Sequence, residues 1–388
     1  MNVLIMSPHF PENFYLFCKA LHRSGATVLA IANVDYYELR SELREVLTEY
    51  YKVQDMHNYD ELIRAVGYFT YRHGKIDRIE SHNEQWLEAD ARLRMDFNVF
   101  GIHPQQLEYT QYKSKMKEKF QAAGIPVVRG KVVHSPKDAM DLVQEVGYPV
   151  IAKPDKRVEA FNTTLIHHAG ELYRFFEEKE TTDYMLEEFI RGQLYSFDGL
   201  TDRHGNIVFS TSHVFNHSDM EIFNHDLNMA YYSLREIPEA LNDYGAKIID
   251  AFGMKERFFH LEFFKVDERR FIILEANMRP PAGLTMDMFN YAADVDLYQE
   301  WANLIVYDTF RAMAYQRKYH VGYIGRKPNR RYQHSHDDIL RTYGDLIVHY
   351  QEMRGMLVSV LGNSGYVVRS PELTRMFEVI EFIHQTEE

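Results

Sequence analysis

Residues 257–279 read RFFHLEFFKVDERRFIILEANMR, two apolar runs around the polar Asp267-Glu268-Arg269-Arg270. That pattern predicts a β-hairpin. A turn centred between Glu268 and Arg269 sets Glu262 opposite Glu275 and His260 opposite Asn277. Strand side chains alternate, so Glu275 and Asn277 share a face, as do His260 and Glu262. Two carboxylates directly opposite each other destabilise a sheet, and the apolar strands around them make the repulsion costlier. A divalent cation removes the conflict. Glu262, Glu275 and the amide oxygen of Asn277 are hard donors suited to Mg²⁺, which fills its other positions with water and phosphate oxygens. The same strands would serve as plain core if one glutamate faced solvent.

Two lysines extend this chemistry. Lys153 ends the apolar run Tyr148-Pro149-Val150-Ile151-Ala152-Lys153, which puts an ammonium group at the carboxyl end of a strand, where α/β layers bind ligands. Lys113 falls in the first turn of a helix expected over 111–123, where the macrodipole disfavours a cation and an anion would relieve it. Either lysine taken alone reads first as a surface group, and neither is decisive by itself. With the dicarboxylate hairpin they describe a site for a metal-bound polyphosphate.

The elements that must position these residues follow from periodicity. Strands at 3–6, 27–32 and 76–79 alternate with helices at 12–24 and 58–73, the pattern of a parallel sheet covered on both faces. The turn Ser7-Pro8-His9-Phe10-Pro11 has no glycine, so a dinucleotide fingerprint is absent. Further on, a strand is expected at 126–128, and Ser135-Pro136-Lys137-Asp138 opens a helix. Strands follow at 149–153, 184–190, 194–201 and 206–215, then a helix at 238–252.

Composition sets the outer bounds. A chain of 388 residues with 45% hydrophobic and 26% charged side chains is long enough for two or three domains and has an ordinary globular profile. The formal charge of −13 argues against a nucleic-acid backbone or an anionic membrane as partner. No run of about 18 apolar residues predicts a membrane helix, and the Met-Asn-Val-Leu-Ile-Met start lacks the basic leader of a signal peptide. The single Cys18 fits a reducing cytoplasm; its neighbours Phe14, Phe17 and Leu21 read as helix core, which makes it a poor covalent catalyst.

The ordered set resembles the ATP-grasp superfamily, specifically its carboxylate–amine ligases, and the corresponding domains of biotin carboxylase and carbamoyl phosphate synthetase. The resemblance lies in Lys113 ahead of Ala123-Gly-Ile-Pro126, Gly147-Tyr-Pro-Val-Ile-Ala-Lys153, Met185-Leu-Glu-Glu-Phe-Ile190-Arg-Gly192, and Glu262 followed by Glu275-Ala-Asn277-Met-Arg279. It implies an α/β plus α+β fold: a parallel-sheet βαβ domain over 1–103, then a two-lobed ATP-grasp domain over 104–316. The small lobe would span about 125–190 and the large lobe about 191–316, with an α+β segment at 317–388 packing on the large lobe.

The resemblance also implies roles. Lys113 and Lys153 would contact ATP phosphates, and adenine would lie against Glu187, Glu188, Phe189 and Ile190. Glu262, Glu275 and Asn277 would hold Mg²⁺, with Mn²⁺ as a substitute. Arg279 would bind the acceptor carboxylate or the transferring phosphate, since a guanidinium fork suits either anion. Three departures stand out. The phosphate loop 154–160 lacks glycine, so Lys156 or Arg157 would supply charge. Leu194 stands where an acid often meets the ribose, which passes that role to Gln193 or another group. Tyr112 stands where an Asp is common. The segment 155–163 is the expected lid.

The implied reaction is ATP-dependent amide formation through an acyl phosphate, from a small carboxylate and an amine. A homodimer stays open, and rival readings are a non-catalytic ATP-binding relative or a carboxylase or carbamoyl-phosphate-forming enzyme. Expected acceptor residues are His9, Phe10, Asn13, Glu80, Asn83, Asp198, His213, His260, Arg279 and the segment 280–287. A basic cluster, Arg326, Lys327, Arg330 and Arg331, reads as a solvated face or subunit contact.

Overall fold

The opening alternation folds into a parallel four-stranded sheet, β3-β2-β1-β4, from β1 (Asn2–Met6), β2 (Thr27–Ala32), β3 (Glu49–Lys52) and β4 (Arg78–Glu80). The computed structural model describes residues 1–156, 163–217, 226–353 and 358–387. Val3 and Ile5 pack towards the helix Tyr15–Arg23, and Leu4 and Met6 towards the helix Tyr59–His73, so alternate residues of one apolar strand fill two cores. β3 is a four-residue edge strand of Glu-Tyr-Tyr-Lys, too short and too polar to show in periodicity.

The chain reverses its winding between β1 and β4, the position where open α/β sheets bind their ligands or partners. Here that edge grips the predicted hairpin. Glu80, at the end of β4, accepts from Arg257 at 2.6 Å and from Arg94 at 3.1 Å. Arg257 also donates to the Met278 carbonyl at 2.8 Å, and Arg78 clasps Glu256 at 2.6 Å. Both ends of the hairpin are thereby tied to the first sheet.

A second sheet, β5-β8-β6-β7, consists of β5 (Gly130–Val133), β6 (Val150–Pro154), β7 (Thr164–Ile166) and β8 (Tyr184–Glu188). The strand expected at 126–128 is displaced. Val127 forms only an isolated bridge to Ile273, and the ladder starts at Gly130, where a Cβ would come within 2.5 Å of the Leu186 carbonyl oxygen. The helix after Ser135 forms as expected, its hydroxyl accepting from the Asp138 amide at 3.2 Å.

The third sheet is eight-stranded and antiparallel, β13-β12-β9-β10-β11-β14-β16-β15. Its members are β9 (Gln193–Thr201), β10 (Ile207–Phe215), β11 (Ala230–Ser233), β12 (Phe258–Lys265), β13 (Phe271–Asn277), β14 (His320–Arg326), β15 (Ile347–Glu352) and β16 (Ser364–Ser370). The last three come from beyond residue 317 and continue the sheet through β11. The basic cluster is partly enclosed: Arg326 and Lys327 are buried, and Lys327 pairs with Asp226 at 2.6 Å. Among the described residues no helix is long and apolar enough to cross a membrane.

Cys18 is completely buried between the first sheet and the helix Leu297–Tyr307, and burial pushes its thiol up to about 12. Thiolate is the reactive form. Native protein is therefore expected to resist iodoacetamide at pH 8 while urea-unfolded protein is fully alkylated, as mass spectrometry would show; rapid native labelling would contradict the burial.

Candidate nucleotide and metal site

The pairing Glu262↔Glu275 and His260↔Asn277 is present, although the turn differs from the expected one. Near the tip Phe263 pairs with Ile273 and the Val266 amide donates to the Arg270 carbonyl at 3.0 Å, so the turn centres on Glu268. A β-bulge at Leu274, between Glu262 and Phe263 on the partner strand, absorbs the difference and returns the two glutamates to facing positions.

A buried polar row crosses the same face. His260 and Thr211 both pair with Asp198 in register. Asp198 Oδ1 lies 2.5 Å from His260 Nδ1, and His260 Nε2 lies 3.0 Å from Glu262 Oε1. Asp198 Oδ2 meets His213 Nδ1 at 2.9 Å and also accepts the Ser196 hydroxyl. Burial alone would lower the His260 value, but Asp198 and Glu262 outweigh it and hold the imidazole at about 10. Burial likewise works against the Asp198 carboxylate, and the two histidines still bring it down to about 2. Two carboxylates flank the ring, and both favour its protonated form. The side chains of Asp198 and His213, expected at the acceptor, have 0% exposure and line no open surface; His260 is buried at 8% exposure.

Asn277 is buried and Glu275 half-buried. Among the described residues no group of three or more His, Cys, Asp or Glu could enclose a metal. The hairpin itself places two carboxylates in facing register, with the buried amide of Asn277 two residues from Glu275 along β13. That donor set suits Mg²⁺ whose remaining sites are filled by phosphate and water.

The lysines converge on one acid. Glu187 is buried, with its two oxygens 2.6 Å from Lys153 and 2.7 Å from Lys117. Lys153 is its diagonal neighbour, because Ile151 pairs with Glu187 and Lys153 with Met185. Burial raises the Glu187 carboxyl, and Lys153 and Lys117 pull it below its ordinary value. Lys117 was not among the expected residues. Its signal was the stripe Met116 and Phe120, which docks that helix and buries Lys117 with it. The helix expected over 111–123 is divided: Pro104–Gln111 ends before an extended Tyr112, and Lys113 begins Lys113–Ala122. Asp155, expected as the start of the lid segment, instead caps this second helix by accepting the Ser114 amide and hydroxyl, each at 2.8 Å. Arg157 and the other residues of 157–162, the greater part of the lid expected at 155–163, lie outside the described residues.

Glu188 binds Arg129 through its carboxylate at 2.8 Å and through its amide, which donates to the Arg129 carbonyl at 2.9 Å. Phe189 and Ile190 are half-buried just beyond β8, and exposed Gln193 donates its side-chain amide to the Phe215 carbonyl. Arg279 Nε sits 2.7 Å from Glu84 Oε2, a partner that sequence reading missed. Asn83 caps the turn before Gln85, and Asn13 donates to Asp287 at 2.8 Å. His9 is held below its ordinary value by burial, and Phe10 remains 45% exposed.

Residues 145–287, which carry Lys153, Glu187, Glu262, Glu275 and Asn277, match the family model described as an ATP-grasp domain. The chain carries an ATP-grasp domain. Over 198 residues it is 23% identical to the alanine–anticapsin ligase of Bacillus subtilis, a match covering 45% of this chain and 41% of that protein. Over 198 residues it is 27% identical to the D-alanine–D-alanine ligase of Pseudomonas putida, covering 48% and 61%. The matches thus span less than two thirds of either curated relative. The solved L-amino acid ligase from Bacillus licheniformis superposes with a TM-score of 0.78 at 14% identity, covering 98% of this chain and 96% of that one. The likeness of fold to that structure therefore extends along nearly the whole chain, beyond the residues 145–287 that match the ATP-grasp domain model.

Proposed function

We propose that this ATP-grasp chain is an ATP-dependent ligase that joins a small carboxylate to an amine, releasing ADP and phosphate. The observation that carries the reading is the facing pair Glu262 and Glu275 with Asn277 beside them, a donor set that makes sense around a cation shared with nucleotide phosphates. Bound Mg²⁺, or Mn²⁺ in its place, would neutralise phosphate charge; Glu262, Glu275 and Asn277 would hold it. Lys153, anchored by Glu187, and Lys113 at its helix start would contact the phosphates, and Glu187, Glu188, Phe189, Ile190 and Gln193 would border the nucleotide.

The substrate carboxylate attacks the γ-phosphorus, the bond to the bridging oxygen breaks, and ADP leaves. The amine then adds to the acyl phosphate carbon, phosphate departs, and the amine's proton is lost to solvent. Arg279 orients the carboxylate by its fork of donors, which requires release from Glu84 or sharing with it. Such chemistry rests on positioning and charge neutralisation and needs no side-chain nucleophile.

The test is ADP and phosphate release across carboxylates crossed with amines, amino acids first. Stoichiometric ADP and phosphate that depend on both an acid and an amine are expected. Tight ATP binding without turnover across the panel would favour a non-catalytic ATP-binding protein, and bicarbonate-dependent ATP hydrolysis with no amine requirement would favour a carboxylase.

A further inference from the structure

We infer that His260, held from behind by Asp198, is a positioning residue that fixes the Glu262 carboxylate for a divalent cation and sets the affinity for that cation. The inference rests on the metal reading above and adds to it the part of the sheet that makes the ligand rigid.

The ladder alone cannot fix Glu262. The bulge at Leu274 interrupts regular pairing beside it, and a glutamate has three rotatable side-chain bonds to restrain. The row of buried groups supplies the restraint. His260 Nε2 takes Glu262 Oε1 at 3.0 Å, leaving the other oxygen for a cation. The imidazole cannot rotate away, because Nδ1 is held by Asp198 Oδ1 at 2.5 Å. Asp198 is in turn locked by His213 at 2.9 Å and by the Ser196 hydroxyl, and none of its side chain reaches solvent. Three adjacent strands, β10, β9 and β12, thus hand one orientation to a carboxylate at the sheet's β12–β13 edge. Groups that orient a ligand in this way alter metal affinity about 10- to 100-fold when removed.

The experiment uses the full chain with Mn²⁺ as an EPR probe and a non-hydrolysable ATP analogue. Free Mn²⁺ is titrated for wild type, His260→Asn, His260→Gln and Ser196→Ala. Asparagine keeps an amide near the Nδ1 position and loses contact with Glu262; glutamine keeps a donor near Nε2. Mn²⁺ binding weakened about 10- to 100-fold in His260→Asn, largely restored in His260→Gln, with metal-free nucleotide affinity unchanged, is the expected result. A purely structural role would not distinguish the two amides in metal affinity. If His260→Asn fails to fold, Ser196→Ala, which removes one donor to Asp198, should still show a several-fold weakening. Wild-type Mn²⁺ affinity in the folded His260→Asn protein, or in Ser196→Ala where His260→Asn does not fold, would overturn the inference while leaving the metal reading intact. Absence of nucleotide-dependent Mn²⁺ uptake by the wild type would remove both.

Discussion

Glu275→Gln is expected to lower the rate of ADP release by about 10²-fold or more, with the fold retained. The substitution keeps size and hydrogen-bonding capacity and removes one of the two charges that face each other across β12 and β13. A metal that stabilises transferred phosphate is worth several kcal/mol, and each ~1.4 kcal/mol is tenfold in rate. Because like charges directly opposite destabilise a sheet, the metal-free variant should unfold at or above the wild-type temperature. Mg²⁺ with ADP should raise the wild-type midpoint and leave that of the variant nearly unmoved. Turnover unchanged by the substitution would sink the metal assignment, whatever the thermal data show.

Glu187→Leu should destabilise the protein by about 3–5 kcal/mol, the cost of leaving buried charges without their partner. Lys153 and Lys117 both reach this one carboxylate, and their side chains are 12% and 11% exposed, so its loss leaves two largely buried ammonium groups without a counter-charge, Lys117 keeping the Val128 carbonyl. Urea midpoints with unchanged slope would measure the loss. The sign of its pH dependence follows from the lowered Glu187 value. A carboxyl whose folded value lies below its unfolded one, near 4.3, contributes fully above that unfolded value. The contribution fades as pH falls through the folded value. The gap between wild type and variant should therefore be constant near neutrality and narrow below about pH 4. A variant within about 1 kcal/mol of wild type would mean that the lysines find other partners, and that Lys153 is not held by Glu187.

What the chain order determined by itself was local. Short apolar runs placed β1, β2 and β6, and an apolar–polar pattern placed β9, each within a residue or two, because a strand's own buried faces set its composition. Strand alternation put Glu275 with Asn277 and His260 with Glu262 on shared faces, which needs no knowledge of any partner strand. The facing of Glu262 and Glu275 was a weaker deduction. It assumed a turn half a residue from the real one, and the Leu274 bulge compensated; neither feature leaves a mark in periodicity.

The rest was decided by contacts between residues far apart in the chain. Glu80 meets Arg257 across 177 positions and Arg279 meets Glu84 across 195, and a charged residue looks the same in sequence whether it is solvated or paired. Asp198 and His213 could be picked as polar groups in apolar strands, yet their enclosure follows only from the neighbours that β9 and β10 acquire in the sheet. Lys117 became a partner of Glu187 once its helix docked. Periodicity reports which side of an element is buried; the pairing of charges depends on what lies against that side, which is a property of the assembled fold.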